Sequence, residues 1–102
     1  MRKITSSAMR AFDRAVGFCL DNTAVIVDNN DGCVYLSLFG KLIARRNLTT
    51  NVVEVRTCGW DTVTTRDRLN GIAGVSVYRR RGTLYLNGKP WENHAVWAAI
   101  AP

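Results

Sequence analysis

The tightest constraint on this chain lies in its last third, where Val75 and Val77 must share a face with Leu84 and Leu86 for a hairpin to have one dry side. A three-residue loop sets Val77 opposite Tyr85 and puts the two faces out of phase. A two-residue Arg81-Gly82 turn demands arginine at positive φ. The four-residue loop Arg79-Arg80-Arg81-Gly82 meets both conditions. It predicts three adjacent arginines at a solvent-exposed tip, with Gly82 in the left-handed region closing it. Asn87-Gly88 then reads as a type I′ turn, and Pro90 marks the next segment as an edge strand or an irregular stretch.

The preceding segments follow the same punctuation. Thr23 to Val27 is β-branched and apolar, and Asp28-Asn29-Asn30-Asp31-Gly32 after it is loop chemistry. In Cys33 to Phe39, the residues Val34, Leu36 and Leu38 line one face. Gly40-Lys41 fits a type II′ turn, which pairs Leu38 with Ile43 and Phe39 with Leu42. Both faces of this hairpin are apolar, so both need a cover, supplied by helices or by a second copy of the chain in a homodimer. Val52 to Cys58 alternates Val53, Val55 and Thr57 against Glu54, Arg56 and Cys58, the pattern of a strand with one wet face.

Two helices are expected. Ser6 and Ser7 are good N-caps, and Met9, Phe12, Val16 and Cys19 then recur at helical spacing up to a stop near Gly17. Thr64, followed three residues later by Asp67, resembles a capping box for a short helix through Leu69 to Gly71. Trp60, Leu69, Trp91 and Trp97 are expected to fill or close the core. Cys19, Cys33 and Cys58 form neither a C-x-x-C pair nor an even set. They read as buried small hydrophobes in a reducing compartment, with no disulfide framework and no metal site.

These elements make an α+β protein of a single compact domain over residues 1–102. A mainly antiparallel twisted sheet of five to six strands carries an N-terminal helix and one short central helix. With 102 residues and 47% hydrophobic composition, the chain is long enough to bury roughly two-thirds of its extended surface without metals or cross-links. No apolar run approaches the roughly 20 residues that a bilayer span needs, and Thr5, Ser6, Ser7, Arg10 and Asp13 interrupt any signal-like core behind Arg2 and Lys3. No membrane association is expected.

Charge is unevenly spread. The net charge is +6, and all of it arises between residues 36 and 81, where nine basic groups face only Glu54, Asp61 and Asp67. Eleven of the fourteen cations are arginine, the side chain suited to two-point binding of phosphate or carboxylate and to stacking on bases. Arg45, Arg46, Arg66 and the Arg79, Arg80, Arg81 tip are candidate phosphate contacts, with Trp60 and Tyr78 as stacking faces. Arg66 and Arg68 lie two apart on a helix, so only one of them is expected in a shared patch. Catalysis is poorly supplied: His94 is the single histidine, each central carboxylate has a structural role, and no phosphate-binding loop or metalloprotease motif occurs. No catalytic residue, cofactor or metal is assigned.

Three blocks carry a resemblance. Leu38-Phe39-Gly40-Lys41-Leu42-Ile43-Ala44, then Gly59-Trp60-Asp61 through Arg68-Leu69-Asn70-Gly71-Ile72, then Tyr85-Leu86-Asn87-Gly88-Lys89-Pro90-Trp91 resemble the signature of small proteins encoded by tailed bacteriophages. The resemblance covers most of the chain after residue 22, and the Arg79 to Arg81 run departs from it. It implies a phage origin and the host cytoplasm as location, and it brings no activity with it. The leading expectation is a non-enzymatic phage accessory protein that binds nucleic acid through an arginine-rich surface. The alternative is a phage-encoded inhibitor that docks on an acidic surface of a host enzyme or defence complex. Both require the central guanidinium groups to converge on one accessible surface.

Overall fold

The computed structural model describes residues 2–100. Helix α1 (Lys3–Arg14) leads into five strands, β1 (Phe18–Leu20), β2 (Thr23–Asp28), β3 (Cys33–Leu38), β4 (Lys41–Asn47) and β5 (Val53–Val55). Helix α2 (Val63–Asn70) follows, then β6 (Val77–Arg80), β7 (Thr83–Leu86), β8 (Lys89–Pro90) and β9 (Ala98–Ala99). An antiparallel sheet runs in the order β1-β2-β3-β4-β5-β9, and a second, three-stranded antiparallel sheet in the order β6-β7-β8. The α+β class is as expected. The larger sheet has six strands and the C-terminal hairpin forms a small sheet of its own.

One core joins the two sheets. Ala8, Met9 and Phe12 of α1 pack with Val25, Leu36 and Val55 of the large sheet, with Leu69 and Ile72 around α2, with Val77 and Leu84 of the small sheet, and with Trp91 just after it. Burying Phe12 alone is worth about 2 to 3 kcal/mol against leaving it in water. Both helices lie on the same side of the large sheet, α1 over β1 to β3 and α2 against β4 and β6. The expectation that helices cover both faces of the β3–β4 hairpin therefore fails. The opposite face keeps Ile26 46% exposed, and Trp97 is the large ring folded across it, beside Arg45 and Arg56.

Helix α1 begins one turn before the predicted serines. Arg2 is its N-cap with no side-chain cap bond, and Ser6 and Ser7 sit inside the helix. The tertiary need is Thr5, fully buried and bonded to Asp67 and Arg68 of α2, which outweighs the better local cap. The helix stops at Ala15, at φ 54°, rather than near Gly17. Arg46 supplies the reason: its guanidinium donates to the last-turn carbonyls of Phe12 at 2.6 Å and Asp13 at 3.0 Å. Val16 and Cys19 consequently lie beyond the helix and are exposed. Cys33 and Cys58 are only half-buried, so none of the three cysteines takes the buried role expected of it.

Two turns differ from the sequence reading in the same way. In the β3–β4 hairpin, Phe39 and Gly40 occupy the turn at φ 52° and 78°, a type I′ geometry, and Leu38 pairs with Lys41 rather than Ile43. A bulge at Ile43 absorbs the shift, since Leu36 pairs with Ala44 and Ser37 with Leu42. Both Ile43 and Ala44 are thereby buried. In the β6–β7 hairpin, Arg81 and Gly82 form the tight turn at φ 51° and 80°, and Arg79 and Arg80 belong to β6. The four-residue loop is incorrect, because arginine does take the left-handed position that argued against the shorter turn. All three arginines are nonetheless exposed. Asn87-Gly88 turns as expected, at φ 51° and 84°, and Pro90 stands on the edge strand β8.

Helix α2 is capped two residues earlier than predicted. Thr62, not Thr64, accepts from the Thr65 amide at 3.1 Å. Asp67 is not a capping-box partner, because Thr5 and Arg68 claim its carboxylate. Arg68 is 2% exposed and ties three elements together, donating to Thr5 of α1 at 2.8 Å, Thr23 of β2 at 2.9 Å and Asp67 at 2.6 Å. Gly71 closes the helix where a Cβ would stand 2.7 Å from Met9 and Thr5, so the two helices approach as far as only glycine allows.

Candidate nucleic-acid interface

Asp61 organises the charged side of the molecule. It follows Trp60 in the loop that leads from β5 to α2, and its side chain is 5% exposed. Arg66 of α2 donates to Oδ1 at 2.7 Å, while Arg79 of β6 donates through Nε to Oδ2 at 2.6 Å. Arg79 also closes its own hairpin, donating to the Gly82 carbonyl at 2.7 Å. One carboxylate thus pins the β6–β7 hairpin to the Trp60 loop and to the start of α2. Both of its oxygens are engaged by these two arginines, which leaves them unable to neutralise further cations.

The hairpin register then decides what faces outward. Val77, Arg79, Leu84 and Leu86 share the inner face, through the pairs Val77–Leu86 and Arg79–Leu84. Tyr78, Arg80, Thr83 and Tyr85 share the outer one. Tyr78 and Tyr85, directly opposite each other, stack with centroids 5.1 Å apart and planes 12° from parallel. Tyr78 remains 41% exposed. Arg80 follows two residues along the same face and Arg81 sits in the turn. Neither side chain has an ion pair or hydrogen bond among the described residues.

Trp60 departs from its expected place in the core. The residue is 59% exposed, and Lys41 of β4 lies over its ring with Nζ 3.8 Å from the centroid. Leu69 and Trp91 are buried as expected. A cleft of about 380 Å³ opens beside Trp60, walled by Leu38, Phe39, Lys41, Ile43 and three threonines.

The remaining nominated arginines lie elsewhere. Arg46 is spent capping α1, and Arg45 is paired with Glu54 across β4 and β5 at 2.8 Å. That hydrogen bond pushes the Arg45 guanidinium pKa above its already high value, so the charge is permanent. Arg45 and Arg56 flank the Trp97 ring at 4.4 and 4.0 Å, a second cation–aromatic group, on the sheet face that no helix covers. The nominated residues therefore divide. Arg66, Arg79, Arg80, Arg81, Trp60 and Tyr78 are joined through Asp61 and its hairpin, whereas Arg45 and Arg46 serve the large sheet and α1.

Comparison with known proteins agrees with the phage resemblance. Residues 1–98 match the family described as Kyanoviridae Gp96 protein. The chain belongs to this phage protein family. No curated protein and no solved structure matches it.

Within this member of the Kyanoviridae Gp96 family, four further side chains at these sites were not nominated from sequence: Lys41, Tyr85, Phe39 and Arg56. Lys41 and Phe39 depend on where the β3–β4 turn falls, and Tyr85 on the register of β6 and β7. Placing the tight turns at Phe39-Gly40 and Arg81-Gly82 would have found all three, by the rule that the residue before glycine takes the first left-handed position of a type I′ turn. Arg56 has no comparable local signal. Its guanidinium bonds the Leu42 carbonyl at 2.7 Å and meets Trp97 from a distant segment. His94, the one histidine, places Nδ1 2.5 Å from the buried Thr57 hydroxyl and anchors the C-terminal segment. Among the described residues no three histidine, cysteine or acidic side chains lie together as a metal group.

Proposed function

We propose that this phage protein is a binding module rather than an enzyme, and that in the host cytoplasm it holds single-stranded nucleic acid against the outer face of the β6–β7 hairpin and the adjoining Trp60 loop. The observation that carries the reading is the outer face of β6–β7: a stacked tyrosine pair beside two arginines that no carboxylate of the described residues neutralises. Single-strand binders combine these two elements, cations for the backbone and ring faces for the bases. Duplex DNA keeps its bases stacked inside and offers such rings only its edges.

Arg79 and Arg66 act differently in this reading. They share the single Asp61 carboxylate, so they set the hairpin's position and keep one positive charge between them, and Arg80, Arg81 and Lys41 supply the positive charge that no carboxylate meets. The discriminating variant is the double substitution Arg80→Ala with Arg81→Ala, which leaves the Asp61 bridge intact. It is expected to weaken binding of a labelled single-stranded oligonucleotide by about tenfold or more and to lower the salt slope by about 1.4, roughly 0.7 for each phosphate of the single strand that the variant no longer neutralises. Circular dichroism and melting should match the unsubstituted protein. Unchanged affinity in the double variant would contradict the assignment. Capture of a single acidic host protein, surviving nuclease treatment and abolished in the same variant, would replace it with the inhibitor reading.

A further inference from the structure

Phe39 violates two local rules at once. It holds the first central position of a type I′ turn at φ 52°, a left-handed conformation that a bulky side chain takes only at a penalty and that asparagine takes readily. The residue is also 71% exposed, so burial returns little for that penalty. A residue that folding neither needs nor favours, placed at the rim of a cleft, points to a ligand.

The surroundings specify which ligand. Phe39 walls the cleft of about 380 Å³ together with Trp60, and Leu38 and Ile43 contribute further apolar lining. Lys41 stands at the same cleft, over the Trp60 ring, and has no ion pair among the described residues. The nearby carboxylate, Asp61, is already bridged by Arg66 and Arg79. The site thus offers aromatic walls for a flat apolar group and an unneutralised ammonium for an anion beside it. A nucleotide has both parts, a base with two π-faces and a phosphate.

Resting on the single-strand reading above, we infer that the cleft between Phe39 and Trp60 receives one unstacked nucleobase of the bound strand, with Lys41 on its adjacent phosphate. The hairpin face and the cleft then contact the same strand at two places joined through the Trp60-Asp61 loop. Preference for single strands over duplex follows, since a paired base is not free to enter.

Phe39→Asn is the test, because asparagine followed by Gly40 is the favoured pair for this turn and removes the ring without threatening the fold. Binding is measured by fluorescence anisotropy on a labelled oligothymidylate of about a dozen nucleotides, and on a duplex of the same length. The comparison is between the unsubstituted protein, Phe39→Asn, and the Arg80→Ala, Arg81→Ala variant. The expected result is a loss of at least about fivefold on the single strand for Phe39→Asn, unchanged duplex affinity, and a melting temperature at or above that of the unsubstituted protein. If Phe39→Asn binds the single strand normally while the arginine variant does not, the base site is wrong and the hairpin reading stands. Equal losses on single strand and duplex would also overturn the base site, because the ring would then be a general contact. Absence of binding by the unsubstituted protein overturns both.

Discussion

Arg68 shows how a charged residue can belong to the core. Its guanidinium is shared among Thr5, Thr23 and Asp67, so α1, β2 and α2 each depend on it. Arg68→Met keeps the aliphatic volume and removes the charge. The variant leaves the Asp67 carboxylate without its main partner, and chemical denaturation should show a loss of about 3 to 5 kcal/mol. Partial burial pushes the Asp67 carboxyl upward, but hydrogen bonds from Thr5 and Arg68, with the charges of Arg68 and Arg2, outweigh it and hold the carboxyl below its ordinary range. A carboxyl depressed in the folded state stabilises the protein above its unfolded pKa of about 4. That stabilisation is lost as pH falls through the lower folded value. Asp67→Asn should therefore flatten the acid limb of a stability-versus-pH curve, measured by urea midpoints from pH 6 down to about pH 2. Sequence alone showed Arg68 only as a cation on a helix. Its partners lie 45 and 63 positions away, at Thr23 and Thr5, which no local pattern connects.

Among the elements, alternation was the readable signal and the ends were not. The strand Cys33–Leu38, and the sharing of one dry face by Val77, Leu84 and Leu86, follow from period-2 patterning, and Thr23–Asp28 from its β-branched run, whereas the partner of Val77 depends on the turn and is misplaced by the four-residue loop. Turn placement failed where a non-glycine residue, Phe39 or Arg81, entered the left-handed region, because propensity argues against each individually. Helix starts failed through competition among neighbours. Thr62, Thr64 and Thr65 all lie at the mouth of α2, and only the geometry of the loop after Trp60 selects the first. The selection is testable: Thr62→Ala should cost about 1 kcal/mol and lower the melting temperature, whereas Thr64→Ala should stay within about 0.5 kcal/mol. The reverse ranking would mean that the helix begins where the capping-box pattern placed it.

Over the whole molecule, the excess of positive charge was legible and its availability was not. A count of residues 36 to 81 gives nine cations against three carboxylates, yet the fold uses Arg68 in the core, Arg46 on α1, Arg45 on Glu54, Arg56 on the Leu42 carbonyl and Trp97, and Arg66 with Arg79 on Asp61. What remains is smaller and more local than the count suggests, namely Lys41 beside Trp60 and Phe39 at the cleft, and Arg80 and Arg81 near Tyr78 on the hairpin. A module with so few free cations should make only about two to four phosphate contacts, and both its affinity and its dependence on ionic strength should be moderate. The direct measurement is the affinity of the full chain for a labelled single-stranded oligonucleotide across a series of salt concentrations. Saturable binding is expected at low salt, with log affinity falling linearly against log salt at a slope between about −1.4 and −2.8. No binding at low salt, or binding with a flat salt dependence, would contradict a strand-binding role for this surface.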